Sequence, residues 1–177
     1  MPVLRPTKLR RLPIVQEPRV RLCRHYIDLT ERETKVLAML AGDLDAIEIA
    51  DRIGGRPDTV RATVFTLREK TGARTWTQIV DTACRTGLLI PPTATLIRPF
   101  PEEVLEAVQL LAQGFSHQQI ANYQGIRSRT ACTRLSTVRS RTRVRHNPAA
   151  VYLLHGVPNL LDSTRPPCPT CTREGAS

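Results

Sequence analysis

Aromatic residues are scarce in this chain, and several kinds of sequence feature are missing. Phe, Trp and Tyr together make up 4% of the 177 residues. No run of roughly 18 apolar residues occurs, so no segment is suited to cross a bilayer as a helix. There is no glycine-rich nucleotide loop, no paired-carboxylate signature and no nucleophile motif. We therefore expect neither an enzyme nor a cofactor-binding protein.

A regular cysteine pattern is also missing. The five cysteines are odd in number and irregular in spacing, which argues against a disulfide scaffold. The N-terminal segment is basic and broken by prolines, and it lacks the apolar stretch of a secretory signal. A reducing, cytoplasmic location is therefore the expectation.

A possible metal site is confined to the C-terminal segment. Cys168 and Cys171 have the spacing of half a structural zinc site. Such a site needs four ligands, and nothing in the sequence fixes Cys23 or His25 beside the pair. An inert segment is the favoured interpretation, so we predict no bound metal.

Basic residues dominate, and they are unevenly placed. There are 26 Lys and Arg against 16 Asp and Glu, a formal net charge of +10. Residues 1–26 hold seven basic residues and one acid, residues 29–90 hold nine of each, and residues 91–160 hold eight arginines and three acids. Two basic blocks therefore flank a neutral one. Such a chain is attracted to polyanions, nucleic acid first and an anionic membrane surface second.

An internal repeat appears when the chain is shifted against itself by 71 residues. The shift aligns Ile49–Ala50 with Ile120–Ala121 and Gly54 with Gly125. In each copy, apolar residues at helical spacing form four stretches, whose ends are marked by capping residues, first-turn acids, prolines or glycines, and this predicts four short helices. The prediction is an all-α chain with two tandem four-helix domains of the helix-turn-helix pattern.

Composition then divides the chain into five predicted segments. The first of them, a basic N-terminal arm, could lie in a minor groove or along phosphates, or it could be a disordered basic tail. The segments are a basic N-terminal arm at 1–27, a first helix-turn-helix domain at 28–90, a Pro-rich linker at 91–99, a second domain at 100–160, and a disordered tail at 161–177.

Local signals place the helix ends. Capping boxes are predicted at Thr30, Asp45 and Ser116, because each is followed three residues later by Glu or Gln. Gly54 and Gly72 are expected to end the helices that precede them.

Short motifs run in a fixed order across residues 29–89. They are LTERE at 29–33, EIA at 48–50, TVR at 59–61, KTGAR at 70–74 and QIV at 78–80. In this order and spacing they resemble the DNA-binding domain of LuxR-type response regulators and quorum-sensing regulators of bacteria. Residues 100–156 resemble the same family through QGFS at 113–116, IA at 120–121 and Thr130. The chain departs from the family pattern at Asp43, where glycine is usual.

The resemblance implies that the third helix of each copy, about 57–71 and 128–142, enters a major groove. Arginine suits guanine edges and phosphates, and threonine suits phosphate oxygens or a thymine methyl. Seven arginines between residues 127 and 145, with no acid among them, are the sharpest local signal. The candidate DNA-binding residues are Arg56, Asp58, Thr59, Arg61, Thr63, Arg68, Lys70, Arg127, Arg129, Thr130, Thr133, Arg134, Arg139 and Arg141.

Three chemically active side chains lie in predicted helices. The pattern favours ordinary helix residues over redox sensors for Cys84 and Cys132. It favours a surface residue over a catalyst for His117.

We predict a regulator of transcription that binds double-stranded DNA by sequence, in the cytoplasm with the nucleoid and without a membrane partner. The two domains would act as a covalent pseudo-dimer in a monomer, or the chain would form a homodimer. The alternative is an adaptor, in which one copy binds RNA polymerase or a partner regulator and the other binds DNA. A third option is nonspecific nucleic-acid binding.

Overall fold

The computed structural model describes residues 27–96 and 98–161 and the backbone of Arg19 and Val20. Most of the predicted arm and the predicted tail from residue 162 on, with Cys168 and Cys171, lie outside these residues. The described chain is mainly helical, as the all-α prediction requires. Its helices are α1 (Glu31–Ala41), α2 (Ala46–Ile53), α3 (Pro57–Thr71), α4 (Trp76–Arg85), α5 (Glu102–Ala112), α6 (His117–Tyr123), α7 (Ser128–Thr142) and α8 (Asn147–His155).

The all-α prediction omitted one short antiparallel pairing. Strand β1 (Arg19–Val20) pairs with β2 (Leu89–Ile90), with Arg19 opposite Ile90. Part of the predicted arm is therefore held against the end of the first copy.

The predicted helix ends are confirmed. Capping boxes occur at Thr30, Asp45 and Ser116, and in each the side chain accepts the backbone N–H three residues on. Gly54 and Gly72 follow α2 and α3 with φ of 66° and 68°, a left-handed conformation that costs glycine little.

Each half has its own apolar core, and the inner stripes predicted for the third helices are buried. In α3 these are Val60, Val64 and Leu67, and in α7 they are Ala131, Leu135 and Val138. Because one face of each third helix is fixed in a core, the opposite face is presented outward.

The two halves pack against each other mainly through α4 and α8. Tyr152 of α8 is buried in the core of the first half, and its hydroxyl donates to the Ile90 carbonyl at 2.8 Å. Beside it, the Asp81 carboxylate is bonded by His155 Nε2 and by Arg85 Nε, each at 2.8 Å. Since α8 completes the core of the other half, separating the halves would expose apolar surface.

The contacts between the halves are reciprocal. Helix α1 packs on α8, and its equivalent α5 packs on α4. Asp43, which follows α1 with φ of 67°, accepts the backbone N–H groups of Arg145 and His146 at 2.8 Å each. Gly114, 71 residues further on, lies against the Gln78 side chain of α4, where a β-carbon would overlap the amide. Contacts that exchange under the 71-residue shift describe an approximate two-fold relation.

A charged cluster joins the halves at the start of α8. The Arg145 guanidinium donates to both carboxylate oxygens of Glu48, at 2.9 and 2.7 Å. The hydrogen bond from Arg145, with that from the Asp45 backbone N–H, lowers the pKa of Glu48 to about 2. The pair therefore stays ionised far into acid.

We expect Glu48→Gln to lower the free energy of unfolding near neutral pH and to lose this effect in acid. A depressed carboxyl pKa contributes stability above the unfolded-state pKa of about 4.3, and the contribution fades as pH falls toward the folded pKa. Urea titrations at several pH values measure the difference between wild type and variant. In an Arg145→Met background the difference should be small at every pH; an undiminished difference there would contradict the assignment to this pair.

Candidate nucleic-acid interface

Helix α7 is held by its inner stripe and presents a polar outer row. Arg129, Thr133, Ser136 and Ser140 are exposed along it. Helix α6 leads into α7 through a short turn in which Gly125 has φ of 63°. The first half has the same arrangement, with α2, Gly54 and α3. The predicted bounds of both third helices are confirmed.

Three α7 arginines are positioned by neutral acceptors. Arg134 Nη1 donates to Gln124 Oε1 at 2.7 Å, and Arg139 Nη1 donates to Asn147 Oδ1 at 2.7 Å. The third, Arg141, donates to a backbone carbonyl. A neutral acceptor orients a guanidinium without cancelling its charge, so the positive electrostatic potential around α7 is preserved.

Arg141 makes the contact that Lys70 makes in the first half. Arg141 Nη1 donates to the Pro99 carbonyl at 3.1 Å, and its guanidinium lies 5.1 Å from the centre of the Phe100 ring. Lys70 Nζ donates to the carbonyl of Asp28, which is the residue equivalent to Pro99 under the 71-residue shift. The two copies thus share one backbone contact but differ in what surrounds the cation.

The cations at the start of α7 are open to solvent. Arg127 precedes the helix and makes no capping bond, and Arg129 and Thr130 are exposed in its first turn. Among the described residues, no carboxylate is paired with Arg127, Arg129, Arg134, Arg139 or Arg141. We call these five the α7 arginine set. Their charges remain available to a polyanion.

Helix α3 is packed in the same way as α7, but two of its cations are paired with carboxylates. Arg61 Nη1 pairs with Asp58 at 2.6 Å, both side chains being exposed. Lys70 Nζ pairs with the buried Glu33 carboxylate at 2.7 Å. Arg56 before the helix is exposed, and Thr59 in its first turn is half-buried. Two of the predicted DNA-contacting cations therefore already have acidic partners.

Three substitutions between the copies explain this difference. Under the 71-residue shift, Glu33 corresponds to Val104, Asp58 to Arg129 and Glu69 to Ser140. Each of these acids, two on α3 and one on α1, is thus replaced by a neutral or basic residue in the second half. The two third helices have the same length but differ in charge, because α7 contains no acid.

The outward placement predicted for Thr63 is wrong. Thr63 is buried, and its hydroxyl donates to the Thr59 carbonyl at 2.9 Å. Its position lies beside Val60 and Val64 on the inner stripe, so a short side chain cannot reach solvent. The equivalent Arg134 has a longer side chain, so its guanidinium can extend from the same position toward solvent.

Lys70, one of the predicted DNA-contacting residues, is bonded in the structure to the Glu33 carboxylate and the Asp28 carbonyl. Burial opposes ionisation of Glu33, but hydrogen bonds from Lys70 and Thr30 outweigh it and lower the pKa of that carboxyl. Lys70 is therefore the partner that lets Glu33 stay ionised at the start of α1.

We expect Lys70→Ala to lower the free energy of unfolding by about 1–3 kcal/mol, because it leaves a buried carboxylate without its partner. DNA affinity should change less than about twofold at the same time, since this charge is already neutralised. Urea denaturation and a duplex titration measure the two effects. Arg141→Ala at the equivalent position is the matched control and should weaken DNA binding instead. A larger loss of affinity for Lys70→Ala than for Arg141→Ala would contradict this division.

The residues that position the α7 arginines could not be recognised from the sequence, and a comparison of Arg68 with Arg139 shows why. The Nε of Arg68 is buried and has no hydrogen-bond partner within the described part of the chain, whereas the equivalent Arg139 bonds Asn147. The first-half residue equivalent to Asn147 is Trp76, which offers no acceptor. Gln124, Asn147 and Phe100 lie on other elements, and no motif in the sequence marks them.

One group of metal-ligating side chains lies close together in the described part of the chain. Ligand atoms of Asp45, Glu48 and His146 are within 4.8 Å of one another. Asp45 Oδ1 already accepts the N–H groups of Ile47 and Glu48, and the Glu48 oxygens accept Arg145. The carboxylates are therefore used by the helix cap and the ion pair.

No helix among residues 27–96 and 98–161 combines the length and apolar character needed to span a membrane.

Compared with known proteins, the chain is similar to the Transcriptional regulatory protein YdfI of Bacillus subtilis (strain 168), with 33% identity over 87 residues. The matched region is 49% of this chain and 41% of the Bacillus protein, so the match spans less than half the length of that relative. No family model matches the chain. No solved structure matches it either.

Proposed function

We propose that the chain is a regulator of transcription that binds double-stranded DNA by sequence, with α7 as the main reading helix. The observation that carries this proposal is the α7 arginine set, five cations that have no carboxylate partner among the residues that the structure describes. The LuxR-type motifs and the name of the Bacillus relative support the same function.

In the proposed mechanism, some residues supply affinity for DNA and others supply sequence specificity. Arg127 and Arg141, near the two ends of α7, neutralise phosphates and release counterions. Arg129, Thr133 and Ser136 face base edges in the major groove. Helix α7 has 15 residues, so it is about 22 Å long, enough to follow the groove over several base pairs. Arginines already oriented by neutral acceptors lose less conformational entropy on binding.

The two halves act as a covalent pseudo-dimer in this proposal. The reciprocal contacts of α4 and α8 support it, because they give the halves an approximate two-fold relation within one chain. Helix α3 would then approach the same face of the duplex as α7. Its neutralised cations make it the weaker of the two contacts.

A second candidate function is the adaptor, and the outer face of α3 favours it. Phe65 is 59% exposed on this face, with Asp58 and Glu69 exposed on the same helix. The equivalent residues of α7 are Ser136, Arg129 and Ser140. An exposed aromatic residue flanked by acids suits a protein partner, such as RNA polymerase or another regulator, better than a phosphate backbone.

Sequencing the fragments that the full chain retains from a genomic DNA pool tests the proposal. A shared sequence motif is expected, and binding to it should weaken with salt. The log–log slope should lie between about −2, for phosphate contacts by Arg127 and Arg141 alone, and about −5, for contacts by the whole α7 arginine set. Equal affinity for random duplexes would favour nonspecific binding. Affinity that does not respond to salt, or an absence of binding, would overturn the proposal.

A further inference from the structure

Cys132 and His117 form a thiol–imidazole pair on the flank of α7. Cys132 lies in the second turn of α7 and is partly exposed, and His117 is the exposed first residue of α6. The Cys132 Sγ and His117 Nδ1 atoms are 3.6 Å apart. In the tautomer that carries its proton on Nε2, the imidazole accepts the thiol proton at Nδ1. This geometry places a base directly beside a nucleophile.

Cys84 has the opposite surroundings and serves as an internal reference. It packs against the core of the first half. Burial, with the charge of Asp81, raises the pKa of the Cys84 thiol far above its ordinary value. Cys84 is therefore expected to be inert under conditions in which Cys132 reacts.

The charge around Cys132 indicates which reagents reach it. Arg129 lies one turn before Cys132 and Ser136 one turn after, and α7 contains no acid. Members of the α7 arginine set lie on the same helix. A positive surface raises the local concentration of anionic reagents. Small disulfides that carry carboxylates, such as oxidised glutathione, fit this chemistry.

We propose that Cys132 is a site of reversible thiol modification by anionic low-molecular-weight disulfides, with His117 as its proton acceptor, and that the adduct prevents α7 from binding DNA. The second part rests on the proposed function. Cys132 Sγ attacks one sulfur of the disulfide while its proton passes to His117 Nδ1. The S–S bond of the reagent breaks, and its other sulfur leaves with the electron pair as a thiolate, which takes up a proton. A thiol reductant reverses the exchange.

The position of Cys132 explains why an adduct would matter. Cys132 lies between the buried Ala131 stripe and the exposed row that contains Arg129 and Ser136. A tripeptide-sized group attached there stands beside the outer face of α7 and next to the start of α6. Its carboxylates also oppose the approach of phosphates. Both steric overlap and charge therefore disfavour a bound duplex.

Mass mapping of the modified full chain tests the first part. In a background with Cys23→Ser, Cys168→Ser and Cys171→Ser, oxidised glutathione should add its mass to Cys132 and not to Cys84. His117→Gln should slow the reaction roughly tenfold near pH 7 and leave it unchanged at about pH 10, where a free thiol ionises without a base. Modification of Cys84 in preference to Cys132, or a His117→Gln effect that persists at about pH 10, would overturn the proposal.

Duplex titration of the same samples tests the second part. The adduct should weaken binding at least about tenfold, and a thiol reductant should restore it. Cys132→Ser should bind like the unmodified protein and lose its response to the disulfide. If the unmodified protein binds no duplex, the proposed function is wrong, and the mass data alone decide the modification site. If it binds and the adduct binds equally well, the switch is wrong.

Discussion

Replacing Arg127 and Arg129 by alanine is expected to weaken binding to a specific duplex by about 100-fold. Each side chain is exposed, lies in or before the first turn of α7 and has no acidic partner among the described residues. A lost phosphate or base contact costs about 1–3 kcal/mol, so two losses multiply to roughly this factor. The log–log salt slope should fall by up to about 2 units. Fluorescence anisotropy of a labelled duplex at several salt concentrations measures both quantities.

The matched control removes two cations from the first half. Arg56 is the equivalent of Arg127 under the 71-residue shift, and Arg61 lies on the outer face of α3. Arg56→Ala with Arg61→Ala lowers the net charge by the same amount. Because Arg61 is already paired with Asp58, this variant should lose less than about tenfold in affinity. Equal losses in the two variants would show symmetric binding, and an unaffected α7 variant would contradict the main proposal.

The local part of the fold could be predicted because its signals are local. The capping boxes at Thr30, Asp45 and Ser116 and the left-handed Gly54 and Gly72 are encoded within four residues of each helix end. A cap depends on hydrogen bonds between neighbours in sequence, so short motifs suffice to predict it.

The site could be predicted only in outline, because its details come from residues distant in sequence. The arginine-rich character of α7 is visible in the sequence. The bond from Arg141 to Pro99 spans 42 residues, and the bond from Arg145 to Asp43 spans 102. A charge count treats Lys70 and Arg141 alike, whereas the fold places a carboxylate beside one of them. Helical spacing alone also could not decide that Thr63 faces the core.

The difference between the two third helices connects the fold with the proposed function. Reciprocal packing of α4 and α8 joins two halves of similar backbone. The halves differ in charge because the second half has no acid at the positions equivalent to Glu33, Asp58 and Glu69. A duplex that contacts both halves would be bound more strongly by the second half. The retained fragments should therefore show one well-defined half-site beside a weaker one.

Replacing Asp81 by alanine is expected to lower the free energy of unfolding by about 3–5 kcal/mol. The Asp81 carboxylate is buried and bonds both His155 and Arg85, so its removal breaks both of these bonds. Asp81 and His155 lie on α4 and α8, the helices that join the halves. The loss should therefore weaken the coupling between the halves as well as the total stability.

Two probes that report different parts of the chain can separate these effects during urea unfolding. Trp76 is the one tryptophan in the sequence and begins α4, so its fluorescence follows the first half, whereas circular dichroism follows all helices. The two transitions should coincide in the wild type and separate in Asp81→Ala.

Tyr152→Phe and Asp51→Ala provide a graded and a neutral comparison. Tyr152→Phe removes only the hydrogen bond to the Ile90 carbonyl and should cost about 1 kcal/mol, with the transitions still coincident. Asp51 is an exposed acid on α2, so Asp51→Ala should change stability by less than about 0.5 kcal/mol. If Asp81→Ala unfolds in one coincident transition with a loss as small as that of Asp51→Ala, the buried carboxylate does not couple the halves. The pseudo-dimer would then depend on the other contacts between the halves, such as the buried Tyr152 and the bonds of Asp43 to Arg145 and His146.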